Sequence, residues 1–207
     1  MMKAQAMIAE HDQATERWHS DVQDLTHPEL LPTEAGPLTD FRQVALAQHR
    51  ANFDLWHEED DARSPDASDA RIAQVKHAID RYNQRRNDLV ECLDTLLLAE
   101  AGLQNEAAPL HSETPGLIID RLSILALKIY HTAVEAHRAS ASAAHRQRNL
   151  ARLSVLVQQR ADLAQCLDQL WVDVLHGQRR FRLYRQMKMY NDPELNPALY
   201  LRHTGPG

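Results

Sequence analysis

Gln84–Leu96 reads QRRNDLVECLDTL, and Gln158–Leu170 reads QQRADLAQCLDQL. Eight of the thirteen positions are identical, at an offset of 74. The same offset pairs Trp56-His57 with Tyr130-His131, upstream of each copy. One unit of helix, loop and helix is therefore expected twice, over about residues 40–100 and 114–176.

The periodicity inside each copy supports this. Ile72, Val75, Ile79, Tyr82, Leu89, Leu93 and Leu96 recur at three- and four-residue steps, which is one face of a helix. Leu153, Leu156, Leu163, Leu167, Leu170 and Val174 repeat the pattern. In each stripe one step is an arginine: Arg86 between Tyr82 and Leu89, and Arg160 between Leu156 and Leu163. A guanidinium keeps its charge, so a core-facing arginine needs an anion. Two readings follow: a structural ion pair with a neighbouring helix, or an anion site between helices. A second stripe of the first copy is polar, with Asp80, Asn83, Asn87, Glu91 and Asp94 on one face. In the second copy only Asp168 keeps a carboxylate there. The stripe is either a solvated face or a site that the second copy has lost.

With only six glycines, few aromatics and no β-branched runs, the chain is expected to be all-α. At 207 residues it reads as one domain over 1–200 with a disordered tail at 201–207. The net charge of −6 predicts no nucleic-acid partner. No apolar run approaches the length of a membrane span. The N-terminus turns polar too early for a signal peptide, so a cytoplasmic, bacterial-type protein is expected. Cys92 and Cys166 occupy equivalent positions and read as small buried thiols, not as a disulfide framework.

In chain order, a first helix is expected over about 3–24, carrying Ala14, Trp18 and Val22, with His11 and His19 near that face. His27-Pro28 breaks it. Asp40 with Gln43 caps a second helix that runs to about Arg63, and Ser64–Ser68 is a turn before the third, about 69–99. A polar loop over 101–113 leads to Thr114 and Pro115, which start the fourth helix. The fifth covers about 143–176 and stops at Gly177. A basic helix is expected over 178–188, holding Arg179, Arg180, Arg182, Arg185 and Lys188. The architecture expected is thus a helical bundle: a duplicated long-helix hairpin, an N-terminal helix and a basic C-terminal helix.

Four blocks carry a family resemblance: LWHEEDDAR (55–63), AIDRYNQRRNDLVECLD (78–94), SETPGLIIDRLSILALKIYH (112–131) and YRQMKMYNDPELNPALY (184–200). Together they resemble the bacterial family called domain of unknown function 4254, over roughly residues 5–200. The resemblance implies a setting near glycosyltransferase genes of cell-surface polysaccharide clusters, and so a partner protein from such a pathway. It implies no reaction.

The candidate chemistry comes from charge placement. Helix two presents His57, Glu58 and Asp61; helix three presents Glu91 and Asp94 three residues apart. Carboxylates on packed helices hold Mg2+ or Mn2+ in all-α bundles, so Glu58, Asp61, Glu91 and Asp94 are the expected metal ligands. All-α nucleotide pyrophosphohydrolases are similar in pairing E-E-x-x-E with E-x-x-D, but here Ala62 replaces the third glutamate. Glu91, Asp94 and His57 are the expected catalytic groups. Arg86, Arg179, Arg182, Arg185 and Lys188 are expected to neutralise phosphates, because arginine forks match phosphate geometry. His131 repeats His57 and reads either as a satisfied hydrogen-bonding residue or as a ligand. There is no glycine-rich phosphate loop, nucleophile elbow or Cys/His metal spacing, which argues against kinases, serine hydrolases and zinc enzymes. The expectation is a metal-dependent enzyme, or a binder, for a phosphate-bearing small molecule such as a nucleotide or nucleotide-sugar. The rival is a non-catalytic helical interaction module in surface-polysaccharide assembly.

Overall fold

The computed structural model describes residues 3–20, 40–187 and 194–197. Five helices account for its regular structure: α1 (Ala4–Ser20), α2 (Phe41–Asp61), α3 (Asp69–Ala101), α4 (Pro115–His137) and α5 (Ala143–Leu175). Among the described residues there is no strand, only a single bridge between Leu110 and Arg180. The expected break at His27-Pro28, Val22, Lys188 and the 201–207 tail lie outside the described residues.

The duplication is carried by matching local chemistry. Asp40 and Thr114, 74 apart, cap α2 and α4 by accepting from Gln43 and Leu117 backbone N–H groups. Ser68 and Ser142, also 74 apart, cap α3 and α5. Both of those helices are 33 residues long. Contacts repeat as well. Arg71 binds Asp61 at 2.5 Å, and His145 binds Glu135 at 2.8 Å, at the equivalent place in the second hairpin.

Helix α2 packs along α3, and α4 along α5. The hairpins meet through α2 and α3 against α4, and α1 lies against α2 and α4, also touching α5. Residues at equivalent repeat positions face each other here. His49 Nδ1 lies 2.8 Å from Ser123 Oγ, and the His57 and His131 rings are 6.0 Å apart. Equivalent positions of the two hairpins therefore meet where α2 crosses α4.

The repeated arginines and aspartates turn out to fasten helices. Arg86 Nε lies 3.2 Å from Asp120 Oδ1 on α4. Arg160 Nη1 donates to both oxygens of Asp12 on α1, at 2.7 and 2.9 Å. Asp94 accepts from the Gly116 N–H at the start of α4, at 2.7 Å. Its counterpart Asp168 accepts from the Ala4 N–H at the start of α1, at 2.9 Å. In both cases a carboxylate takes up a donor that the first helical turn leaves unpaired. The apolar stripes cover the main core, with Leu89, Leu93, Leu97, Ile118, Leu122, Leu167, Trp171 and Phe181 inside it. Cys92 is half-buried but Cys166 is exposed, and neither forms a disulfide.

The segment after α5 departs from expectation. Its described part, 178–187, is not helical. Gly177, at φ +67, ends α5 and reverses the chain. The chain then runs beside the 102–113 loop. Arg180 N–H donates to Pro109 O, His111 N–H donates to Arg180 O, and Gln104 bonds both backbone groups of Phe181. Burial of the Phe181 ring anchors this extended path. A helix would instead align Arg179 with Arg182 and Arg182 with Arg185, like charges at unfavourable spacing.

Candidate metal centre

Three histidines converge where α1, α2 and α4 cross. His19 lies in the last turn of α1, His57 on α2 and His131 on α4. One ligand nitrogen from each lies within 4.8 Å of the others, a cluster that could hold a metal ion. His19 Nδ1 lies 2.7 Å from Thr15 O, and His57 Nδ1 lies 2.8 Å from Phe53 O. A carbonyl oxygen only accepts, so both Nδ1 atoms carry a proton, and Nε2 is the nitrogen each ring has left to offer a metal. That backbone bond is how ligating histidines are oriented. His19 Nε2 and His131 Nε2 are buried without any hydrogen-bond partner.

Aromatic packing fixes the rings. Trp56 lies flat on His131, with centroids 4.7 Å apart and planes 3° apart. Tyr130 stacks on His19 at 4.2 Å. Burial pushes the His131 imidazole down to about 4, with His19 and His57 adding to the effect and Asp60 opposing it. Burial also lowers His19, against the bond to Thr15. Both rings are therefore neutral at pH 7, the form that binds metal.

The residues fit an ion. Metal–nitrogen bonds of about 2.0–2.1 Å at tetrahedral angles put ligand nitrogens about 3.3 Å apart and ring centres about 5 Å apart. The His19 ring lies 5.2 Å from His57 and 5.0 Å from His131, at that spacing, while His57 and His131 stand wider, at 6.0 Å. Three imidazoles and an open fourth position is the donor set of catalytic zinc sites.

The four carboxylates expected to bind metal are not brought together. Glu58 is pushed up by burial and is offset by Arg71 and Arg81, while Asp61 is held by Arg71. Glu91 lies ten residues beyond Arg81 on the same helix, about 15 Å along its axis. Asp94 is occupied as the cap of α4. Burial pushes its carboxyl up to about 6, the bonds from Thr114 and Gly116 oppose this, and Glu91 adds to it.

Glu91 does meet the C-terminal segment. Its Oε1 accepts from the Gln186 N–H at 2.7 Å. Glu91, Asp94, Asp120, Arg86, Tyr184 and Gln186 share a cavity of about 80 Å3. That volume is too small for a nucleotide, and its three carboxylates outnumber Arg86. Arg179, Arg182 and Arg185 are exposed and do not line it, and Lys188 lies outside the described residues. A larger cavity of about 440 Å3 lies between α2, α3 and α4, lined by Asn52, Trp56, Glu59, Asp60, Arg63 and Arg86 among others. It adjoins the histidines through Trp56, which stacks on His131.

His57 is thus placed at a site, but with partners other than those expected. The pairing of His57 with His131 was visible at the repeat offset. His19 was missed as a member of the cluster, because nothing local shows that α1 reaches the α2–α4 crossing.

The family model described as a protein of unknown function (DUF4254) matches residues 42–183. His57 and His131 fall inside that span and His19 outside it. No curated protein and no solved structure matches the chain.

Proposed function

We propose that this chain, which belongs to the DUF4254 family, binds a transition-metal ion through His19, His57 and His131 and presents a phosphate-bearing ligand to it. The observation that carries this reading is the convergence of three oriented imidazoles with two orphaned, buried Nε2 atoms. Imidazole donors suit Zn2+, Co2+, Ni2+ or Cu2+; Mg2+ and Mn2+ prefer oxygen. Transition metals therefore replace the oxygen-loving ions suggested by the carboxylate pattern. For the ligand, Trp56 offers an aromatic wall, and Arg63 and Arg86 offer guanidinium groups along the adjoining cavity. The bound ion would supply Lewis-acid polarisation of a phosphoryl oxygen. Around it, Asn52 and the arginines would orient the ligand, while Glu59 and Asp60 limit how much anionic charge the cavity accepts.

Titration with Co2+ tests the metal reading. A single equivalent should bind with the visible absorption of a tetrahedral cobalt centre, and excess Mg2+ should not displace it. His131→Ala should lose that absorption with helicity unchanged. Metal-loaded protein should then gain thermal stability from a nucleoside diphosphate, and Arg63→Ala should weaken that gain while leaving the cobalt spectrum intact. Absence of cobalt binding by the native chain, or equal binding by His131→Ala, overturns the metal site. Cobalt binding without any nucleotide effect overturns only the phosphate ligand.

A further inference from the structure

Helix α1 is secured unevenly along its length. Its first turn is capped by Asp168, its middle is held by the Arg160–Asp12 pair, and Met7, Ile8 and Ala14 are buried. Thr15 Oγ1 reaches His49 Nε2 at 2.9 Å. Beyond that point, among the described residues, the last turn is held by packing: Trp18, with the Arg50 guanidinium 5.0 Å over its ring, clusters with Phe53 and Leu127, and His19 is held by rings. Trp18 meets His49 and Phe53, and His19 meets Phe53, Tyr130, His57 and His131. Among the described residues no hydrogen bond joins the His19 side chain to another helix, and its Nε2 is buried without a partner.

The two remaining ligands stand on different ground. His57 and His131 sit at equivalent positions of the two hairpins, on α2 and α4, with rings 6.0 Å apart. Two imidazoles make a weaker site than three, and the third is carried by α1.

From this we infer that metal occupancy regulates α1: the ion acts as a latch that fastens the last turn of α1, through His19, to the paired histidines of the hairpins. The inference rests on the metal reading above and adds to it a coupling between binding and docking. Reciprocity is required thermodynamically. If the docked turn raises metal affinity, the metal must favour the docked turn by the same factor. His19 is then the regulatory ligand, and His57 and His131 form the standing half of the site.

Hydrogen exchange of the full chain, with and without a saturating equivalent of Zn2+, tests the latch. Amide exchange in residues 15–20 should slow by about tenfold on zinc addition, within the usual range of coupling factors. Exchange in the middle of α3 and α5 should not change. His19→Ala should keep its helicity by circular dichroism, bind zinc at least about tenfold more weakly and lose the slowing in 15–20. Zinc bound by the native chain with unchanged exchange in 15–20 overturns the latch and leaves the metal site standing. So does equal zinc affinity in His19→Ala, or slowing spread evenly over α3 and α5. Absence of zinc binding by the native chain overturns the metal site, and the latch falls with it.

Discussion

An arginine on an apolar stripe is a demand for an anion, and the two copies answer it with different burial. Arg86 faces Asp120, whose side chain is 8% exposed. Arg160 faces Asp12, whose side chain is 39% exposed. The Asp120 carboxylate also accepts from Gln48 Nε2 at 2.5 Å and Asn52 Nδ2 at 3.0 Å, so it keeps partners if the arginine goes. Burial still pushes its carboxyl up, against Arg86, Asn52 and Gln48. Arg86→Met should therefore cost about 2–3 kcal/mol, somewhat less than an uncompensated buried charge. Arg160 is itself less exposed than Arg86, 16% against 26%, but the carboxylate it would leave behind faces solvent, so Arg160→Met should cost about 1 kcal/mol. Urea denaturation of the two variants decides it; equal losses would mean that burial of the partner does not set the cost. The stripe spacing made both anions predictable, but it does not name the helix that supplies them. Assigning Asp94 to catalysis failed to anticipate its capping role for the same reason. A carboxylate's partner across the bundle leaves no trace in its own helix's periodicity.

Helix existence and ends were legible because each is fixed by a local device: Asp40, Ser68, Thr114 and Ser142 at the starts, Gly177 at the end of α5. The segment after Gly177 was not, because its shape comes from distant partners, Gln104 and Pro109, and from burial of Phe181. Helix docking also has a residue-level requirement at the start of α4. A Cβ added to Gly116 would stand 2.7 Å from Asp94 Oδ1 and 2.9 Å from Val90 O. The second of these is backbone and cannot swing aside. Gly116→Ala must push α4 off α3 and lengthen the bond from its N–H to Asp94. The helix itself would tolerate alanine well, so a loss of about 2–3 kcal/mol in urea denaturation would come from docking alone. A neutral or stabilising outcome would show that the two helices have slack at this contact.

At the scale of the molecule, the repeat revealed two hairpins but not how they pack, since a constant offset says nothing about which faces meet. Buried histidines gather where α1, α2 and α4 cross, and they shape the response to acid. His49 bridges three helices: Nε2 lies 3.0 Å from His11 O and 2.9 Å from Thr15 Oγ1, and Nδ1 lies 2.8 Å from Ser123 Oγ. His11 stacks on it at 4.3 Å, with neither ring nitrogen hydrogen-bonded. Burial lowers both, His11 to about 3, with Arg160 adding to the effect on His11. A histidine whose folded-state pKa is depressed stays neutral in the fold while the unfolded chain takes up a proton. Its contribution is complete above about 6.5, shrinks as pH falls below that value and stops changing near 3. Carboxyls raised in the fold, Asp94 at about 6 among them, act in the opposite sense over part of that range, so the native chain reports a partly cancelled sum. Replacing one histidine isolates its share. His11→Phe keeps an aromatic ring against His49 and loses no hydrogen bond, so any repacking cost applies at both pH values. Relative to the native chain, the variant should gain about 2–3 kcal/mol in urea-denaturation free energy between pH 7.5 and pH 4.5. If native and variant stabilities change in parallel between those two pH values, His11 is not held neutral by burial, and the acid response of the fold must arise elsewhere.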